Sequence, residues 1–585
     1  MDDNSDEMEE MEEPLLGSKQ DSTKGGFRTL PSIIGNEASE RLASCGLTAN
    51  MIVYMRDEYK MDMVTGNNIL NIWNAASNFL PVVGAFISDS FVGRYPMIAL
   101  GSIFSLLGMI MLWSTTMIPQ ARPSACIQSS SSCSSSTAFQ VFYLCCSFGI
   151  MSIGSGGIRA SSMAFGTDQL KVRDSSKSSV PLERYFGWYY ATTSIAVLFA
   201  MSCIVYMQDH LGWKIGFGIL VVLMFVTVLS FFLASPFYIK VKSEANFLIS
   251  FAQVAVATYR NRNTSLLSES TSMAYHHQKG SALIVPSDYL RFLNKACTIR
   301  YRGQYSSADE IDLDSWNVCT VDQVEDLKAV IRVIPLWSTG AIMCVNLNQP
   351  SFPVIQARSM DRHITSWFEI PAGSFGTFIT LAFILWVVAY DRLIIPMASW
   401  IIRKPVRLSP KQRMGIGIFL SIFAQATMAI IEFFRREMAI EEGLSGDTDA
   451  VVKMSAMWLL LPNCLNGIAE ALNIVAQNEF FFSEFPRSMS CVALTLRGVG
   501  MSAGSLLAAF ILSFVDKIST SGGNMSWVPS NINQGRYDYY YWVLAGISAV
   551  NLMYFGMCSW TYGPEAEESK VNVIEDHQLA STHSS

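Results

Sequence analysis

Charge is scarce in this sequence. Of its 585 residues only 15% are Asp, Glu, Lys or Arg, against 50% hydrophobic and 12% aromatic, whereas a soluble protein of ordinary composition carries about 25% charged residues. That shortage excludes a disordered polypeptide and an ordinary soluble enzyme. Histidine is sparse as well. All six (His210, His276, His277, His363, His577 and His583) lie outside the long apolar runs, so a proton relay inside a membrane has to use carboxylates instead. No basic patch interleaved with aromatics marks a nucleic-acid partner, and no Cys or His spacing marks a metal site. The first 30 residues are acidic and polar, with no apolar stretch of the kind a cleavable signal requires, so the first span is expected to act as its own insertion signal. Twelve cysteines do not make a disulfide scaffold, and most sit in apolar segments as small hydrophobes. Cys126 and Cys133 differ. They flank a Ser-rich loop, where a disulfide and two free thiols are both open readings.

What is present is a series of apolar blocks about 20 residues long, enough to cross a hydrocarbon core of about 30 Å. Spans are expected near 36–56, 69–90, 96–117, 137–162, 185–207 and 214–236, and again near 326–348, 367–389, 413–434, 455–479, 490–515 and 538–560. Twelve spans split evenly by a connector give an all-α membrane protein of two six-helix bundles, with a cavity between them near the bilayer midplane. The expected divisions are an acidic, disordered tail (1–28), a first bundle (29–237), a connector with an amphipathic helix across the base of both bundles (238–325), a second bundle (326–564) and a C-terminal tail (565–585). Lys and Arg concentrate after the second, fourth and eighth spans and in the connector. By the positive-inside rule both termini and the connector are cytoplasmic. Asn524-Met-Ser then falls outside as a candidate glycosylation site.

Charges within the spans carry the chemistry, because each costs several kcal/mol at mid-bilayer unless paired or wetted. Glu37, Glu40 and Arg41 are i,i+3 and i,i+4 neighbours on one helical face. They form either a helix-end ion pair in the headgroup zone or a buried relay. Arg159 follows a run of small residues, Gly154-Ser-Gly-Gly-Ile, which favours a cavity position over snorkelling. Glu470 lies deep in the tenth span, and the preferred partner for Arg159 is this carboxylate from the other half of the chain. Arg497, early in the eleventh span, reads as a residue snorkelling to the interface.

Several segments together resemble the plant nitrate transporter 1/peptide transporter family, a branch of the proton-coupled oligopeptide transporters in the major facilitator superfamily. Glu37-x-x-Glu40-Arg41 is similar to that family's ExxER motif. Gly84-Ala-Phe-Ile-Ser-Asp89-Ser-Phe-Val-Gly93-Arg94-Tyr95 resembles the major facilitator gating loop, and Asp168-Gln169, Phe368-Glu-Ile-Pro-Ala-Gly and Asp538-Tyr-Tyr-Tyr-Trp are similar to plant members. The first subfamily is the nearest match by residues such as Pro286-Ser-Asp-Tyr-Leu-Arg. The resemblance implies the major facilitator fold and alternating access driven by protons. It assigns Glu37, Glu40 and Arg41 to proton coupling, Arg159 and Glu470 to an inter-bundle pair at the substrate, and Asp89, Gly93 and Arg94 to the gating loop. It implies no cofactor, a lipid bilayer as surroundings, and a monomer or weak dimer in the plasma membrane or tonoplast. Expected cargo is nitrate, at low affinity, or another small anion. Di- or tripeptides, hormones and defence metabolites are the alternative, and a non-transporting sensor a third reading. Four departures bear on this. Arg159 stands where many relatives have Lys, and it cannot release a proton. Tyr189-Tyr-Ala-Thr-Thr-Ser194-Ile-Ala196 replaces the peptide carriers' fifth-span motif, Leu347 takes the place of a nitrate-binding His, and Met97 that of a phosphorylatable Thr.

Overall fold

In hydrocarbon every backbone polar group must be satisfied within its own segment, which leaves an apolar 20-mer only the helix. The computed structural model describes residues 25–123, 136–171, 180–240, 247–263, 275–277, 285–298, 316–349, 351–404, 408–485 and 489–563. Cys126 and Cys133 lie outside the described residues, as do most of both tails.

The first six long helices are α1 (Leu30–Asp57), α2 (Met63–Ile87), α3 (Arg94–Ser114), α4 (Ala138–Lys171), α5 (Val180–Phe199) and α6 (Trp213–Leu233). A connector helix, Phe247–Arg260, precedes α7 (Val321–Leu347), α8 (Gly376–Ala389), α9 (Pro410–Glu441), α10 (Leu460–Glu484), α11 (Ser490–Ser519) and α12 (Tyr537–Tyr562). π-helical turns lengthen three of them: Ser88–Val92 after α2, Ala200–Ile204 after α5 and Tyr390–Ile394 after α8. Local sequence starts several helices. Asp62 caps α2 through Thr65 N at 2.9 Å, and α7 and α9 open on capping boxes, Thr320 with Gln323 and Ser409 with Gln412. Among the described residues, eleven helices are long and apolar enough to cross a membrane. α1, with 28 residues, is about 42 Å long at 1.5 Å per residue and carries Glu37, Glu40 and Arg41 in its first half.

A helix stands at each of the twelve expected positions, eleven of them qualifying as spans among the described residues. The eighth is displaced: the sequence places it at 367–389, whereas α8 runs from Gly376 and continues through its π turn to Ile402. Phe368–Glu369 instead pairs as β3 with β2 (His363–Thr365) in a hairpin, and Pro371 then starts a 3-10 turn. β1 (Met360–Asp361) pairs in parallel with β4 (Val452–Ser455), tying the α7–α8 connection to the α9–α10 connection. The connector helix packs against the start of α7. Val254 and Ala257 join Leu293, Ala296, Cys297 and Val324 in a small core beneath the second half.

The two bundles meet at the end remote from the chain termini. Arg358 Nη1 reaches Asp57 at 2.6 Å, Arg56 Nη2 reaches Asp449 at 3.4 Å, and Arg362 Nη1 reaches Asp209 at 3.9 Å. Asn68 Nδ2 donates to Ser513 Oγ at 2.8 Å across the same boundary. Among the described residues, every ion pair that joins the two bundles lies at this end.

Candidate functional site

The charged face of α1 is built into the first bundle. Glu37 and Glu40 are 0% and 2% exposed, which decides against a helix-end pair in the headgroup zone. Glu37 accepts from Arg41 Nε at 3.1 Å, and the Tyr189 hydroxyl of α5 faces the same carboxylate. Asn36 Nδ2 donates to Ser102 Oγ at 2.7 Å, fixing α1 against α3.

Arg159 engages a different carboxylate from the expected Glu470. Its Nε and Nη2 donate to the two Glu40 oxygens at 2.7 and 2.9 Å, the forked geometry that suits guanidinium and carboxylate. No hydrogen bond or ion pair joins it to Glu470. α1 packs directly on α4 within one bundle and brings its own carboxylate to the guanidinium. The small residues ahead of Arg159 also do something other than line a cavity. A Cβ on Gly157 would stand 2.8 Å from Met97 O, one on Gly156 2.9 Å from Leu80 Cβ, and one on Gly154 would collide with the Ser105 backbone. They let α2 and α3 close on α4.

Glu470, on α10, faces instead a narrow pocket of the second bundle that it lines together with Trp337, Leu347, Asn473, Gln477 and Arg497. Arg497 shares that pocket with Glu470, and Glu470, Cys344 and, from the other bundle, Arg41 and Tyr190 act electrostatically on its guanidinium. The snorkelling expectation is therefore overturned. The two halves together carry three such carboxylates (Glu37, Glu40, Glu470) and three guanidiniums (Arg41, Arg159, Arg497), a formally neutral set.

The gating-loop residues come together. Arg94 Nη1 donates to Asp168 Oδ2 at 2.7 Å, and its Nε to Asp89 Oδ1 at 3.3 Å. Gly93 bridges α2 and α3 at φ 88°, a conformation that glycine adopts without steric cost. Gln169, next to Asp168, exchanges two hydrogen bonds with the Ile239 backbone (2.9 and 2.8 Å) and anchors the chain leaving α6. Asn524 is exposed in the α11–α12 connection, at the same end as the β hairpin. Sequence reasoning missed one further pair. Glu432 and Arg435 on α9 are both 0% exposed and joined at 2.8 Å, and Arg435 also holds Asn533 Oδ1 at 2.6 Å. They pin the α11–α12 connection and lie outside that charged set.

Two six-helix bundles, closed at one end over paired intramembrane charges, are the architecture of a secondary transporter, and the chain belongs to the POT family, whose pattern matches residues 95–528. Members of that family are transporters, not enzymes. The sequence is 48% identical to protein NRT1/PTR FAMILY 1.1 of Arabidopsis thaliana over 577 residues, 97% of each chain. It is also 48% identical to protein NRT1/PTR FAMILY 1.2 of the same plant over 565 residues, 95% of this chain and 93% of the relative. The crystal structure of an auto-inhibited POT family peptide transporter superposes with a TM-score of 0.65 at 19% identity, covering 92% of this chain and 98% of the other. At that identity the likeness concerns the fold alone.

Proposed function

We propose that this protein is a proton-coupled symporter carrying nitrate or another small anion by alternating access. One observation carries the reading: the formal balance of three carboxylates and three guanidiniums on the facing helices of the two bundles. Binding one proton leaves a single positive charge there, which one monovalent anion neutralises, so proton and anion favour each other's binding. Glu37, Glu40 and Arg41 couple the proton, and the closed end faces away from the cytoplasm, with both termini inside. The chain works in the plasma membrane, as a monomer or weak dimer.

Radiolabelled uptake in oocytes tests this, with nitrate, a dipeptide and plant hormones offered at acidic and neutral external pH. Nitrate or small-anion uptake that rises at acidic pH is expected. Dipeptide uptake without anion uptake would assign the other cargo class. A glycosidase-sensitive mobility shift that Asn524→Gln abolishes is the expected sign of the orientation.

A further inference from the structure

The pocket beside Glu470 contains donors that nothing in the protein satisfies. Asn473 and Gln477 are 4% and 8% exposed, and neither Asn473 Nδ2 nor Gln477 Nε2 has a hydrogen-bond partner. Leaving a buried donor unpaired costs about 1–3 kcal/mol, and here two occur one turn apart on the same helix face. Gly340 of α7 makes the room, since a Cβ at that position would collide with the Gln477 amide. Arg497 of α11 completes the wall. Arg497 lines the same pocket, and it has no ion pair within 4 Å among the described residues. Arg159, by contrast, already has two of its nitrogens on Glu40.

We propose that Arg497, Asn473 and Gln477 form the anion anchor of the transport pathway, built for a planar oxyanion: nitrate or an organic carboxylate. This rests on the anion reading above. Both ligands present coplanar oxygens that a guanidinium fork engages in pairs, and the two amide N–H groups meet the remaining lone pairs. Trp337 and Met501 on the same pocket wall offer apolar surface to the body of a carboxylate. Arg41 faces Arg497 from the opposite bundle. Two like charges repel, and an anion between them turns that repulsion into attraction, so occupancy favours approach of the bundles.

The test uses the purified full-length protein in lipid nanodiscs, titrated separately with nitrate and with benzoate and followed by thermal stabilisation, alongside uptake kinetics. Wild type is expected to be stabilised by at least one of the two. Arg497→Gln should raise Kd and KM more than tenfold while leaving the ligand-free melting midpoint in place. Arg497→Lys, which keeps the charge but loses the fork, should fall between. Should Arg497→Gln fail to fold, Gln477→Glu decides, because it aims a carboxylate at the same spot and should abolish stabilisation by either anion. Wild-type affinity in a folded Arg497→Gln or Gln477→Glu protein overturns the anchor and leaves the anion reading standing. Absence of binding and uptake of both anions by wild type removes the anion reading and the anchor together. Tighter binding of benzoate than of nitrate selects the carboxylate class, and the reverse order selects nitrate.

Discussion

Glu40, the proton acceptor of the proposed cycle, clamps Arg159 with both of its oxygens. Protonation takes one oxygen from the clamp, so loading a proton and freeing a guanidinium are one event. Removing one partner of a buried pair costs about 3–5 kcal/mol by stranding the other charge. Glu40→Gln mimics the protonated state while keeping the shape. It should abolish pH-driven accumulation yet retain exchange of labelled for unlabelled substrate at zero gradient, measured in proteoliposomes. Unchanged accumulation would remove Glu40 from coupling. The grouping of Glu37, Glu40 and Arg41 was legible because spacing along one helix fixes a common face. The partner of Arg159 was not, since Glu40 and Glu470 are both intramembrane carboxylates and only packing between helices decides between them. Arg497 was misread for a similar reason: position along a helix says nothing of which way it turns. A usable signal did exist. Glu470, Asn473 and Gln477 recur at i, i+3 and i+7, a polar stripe on an otherwise apolar helix.

At the scale of elements, α4 is the axis of the first bundle, and its glycines set how closely α2 and α3 approach. Gly154→Ala drives a methyl into the Ser105 backbone, and overpacking of this kind costs about 1–3 kcal/mol. Gly149, with nothing within 4 Å of its would-be Cβ, is the matched control. In detergent, Gly154→Ala should lower the melting midpoint and Gly149→Ala should leave it unchanged; equal midpoints would mean that α3 and α4 separate freely. Apolar run length made the spans readable. It failed at α8, where Phe368 and Ile370 are apolar enough to look like membrane but precede Pro371 and Gly373, and the chain chose a hairpin. Gly373 shows why the stretch is held: it lies so close to Asn50 of α1 that a Cβ would collide with the amide.

For the whole molecule, the equal division into two sets of six was legible in the spacing of apolar blocks. Which end closes was not, because its ion pairs join residues as distant as Asp57 and Arg358, 301 positions apart. Arg358 contacts Asp57 and, at 3.9 Å, Asp449, and these side chains are partly exposed. Exposed pairs contribute about 0–1 kcal/mol each, so Arg358→Ala should shift the equilibrium away from closure by up to about tenfold. Thiol labelling of Asn68→Cys, half-buried at that junction's edge, should quicken accordingly. An unchanged labelling rate would show that apolar packing alone holds the end shut.

The even count of acids and guanidiniums on the facing helices of the two bundles has an electrical consequence. Moving one elementary charge through the membrane field is worth about 2.3 kcal/mol per 100 mV. An empty carrier whose moving site has no net charge gains nothing from that field as it reorients, and neither does one loaded with one proton and one monovalent anion. Voltage then acts only if a second proton is carried. Charge movements recorded under voltage clamp without substrate should be near zero, and the voltage dependence of substrate-evoked transport then counts the excess protons directly.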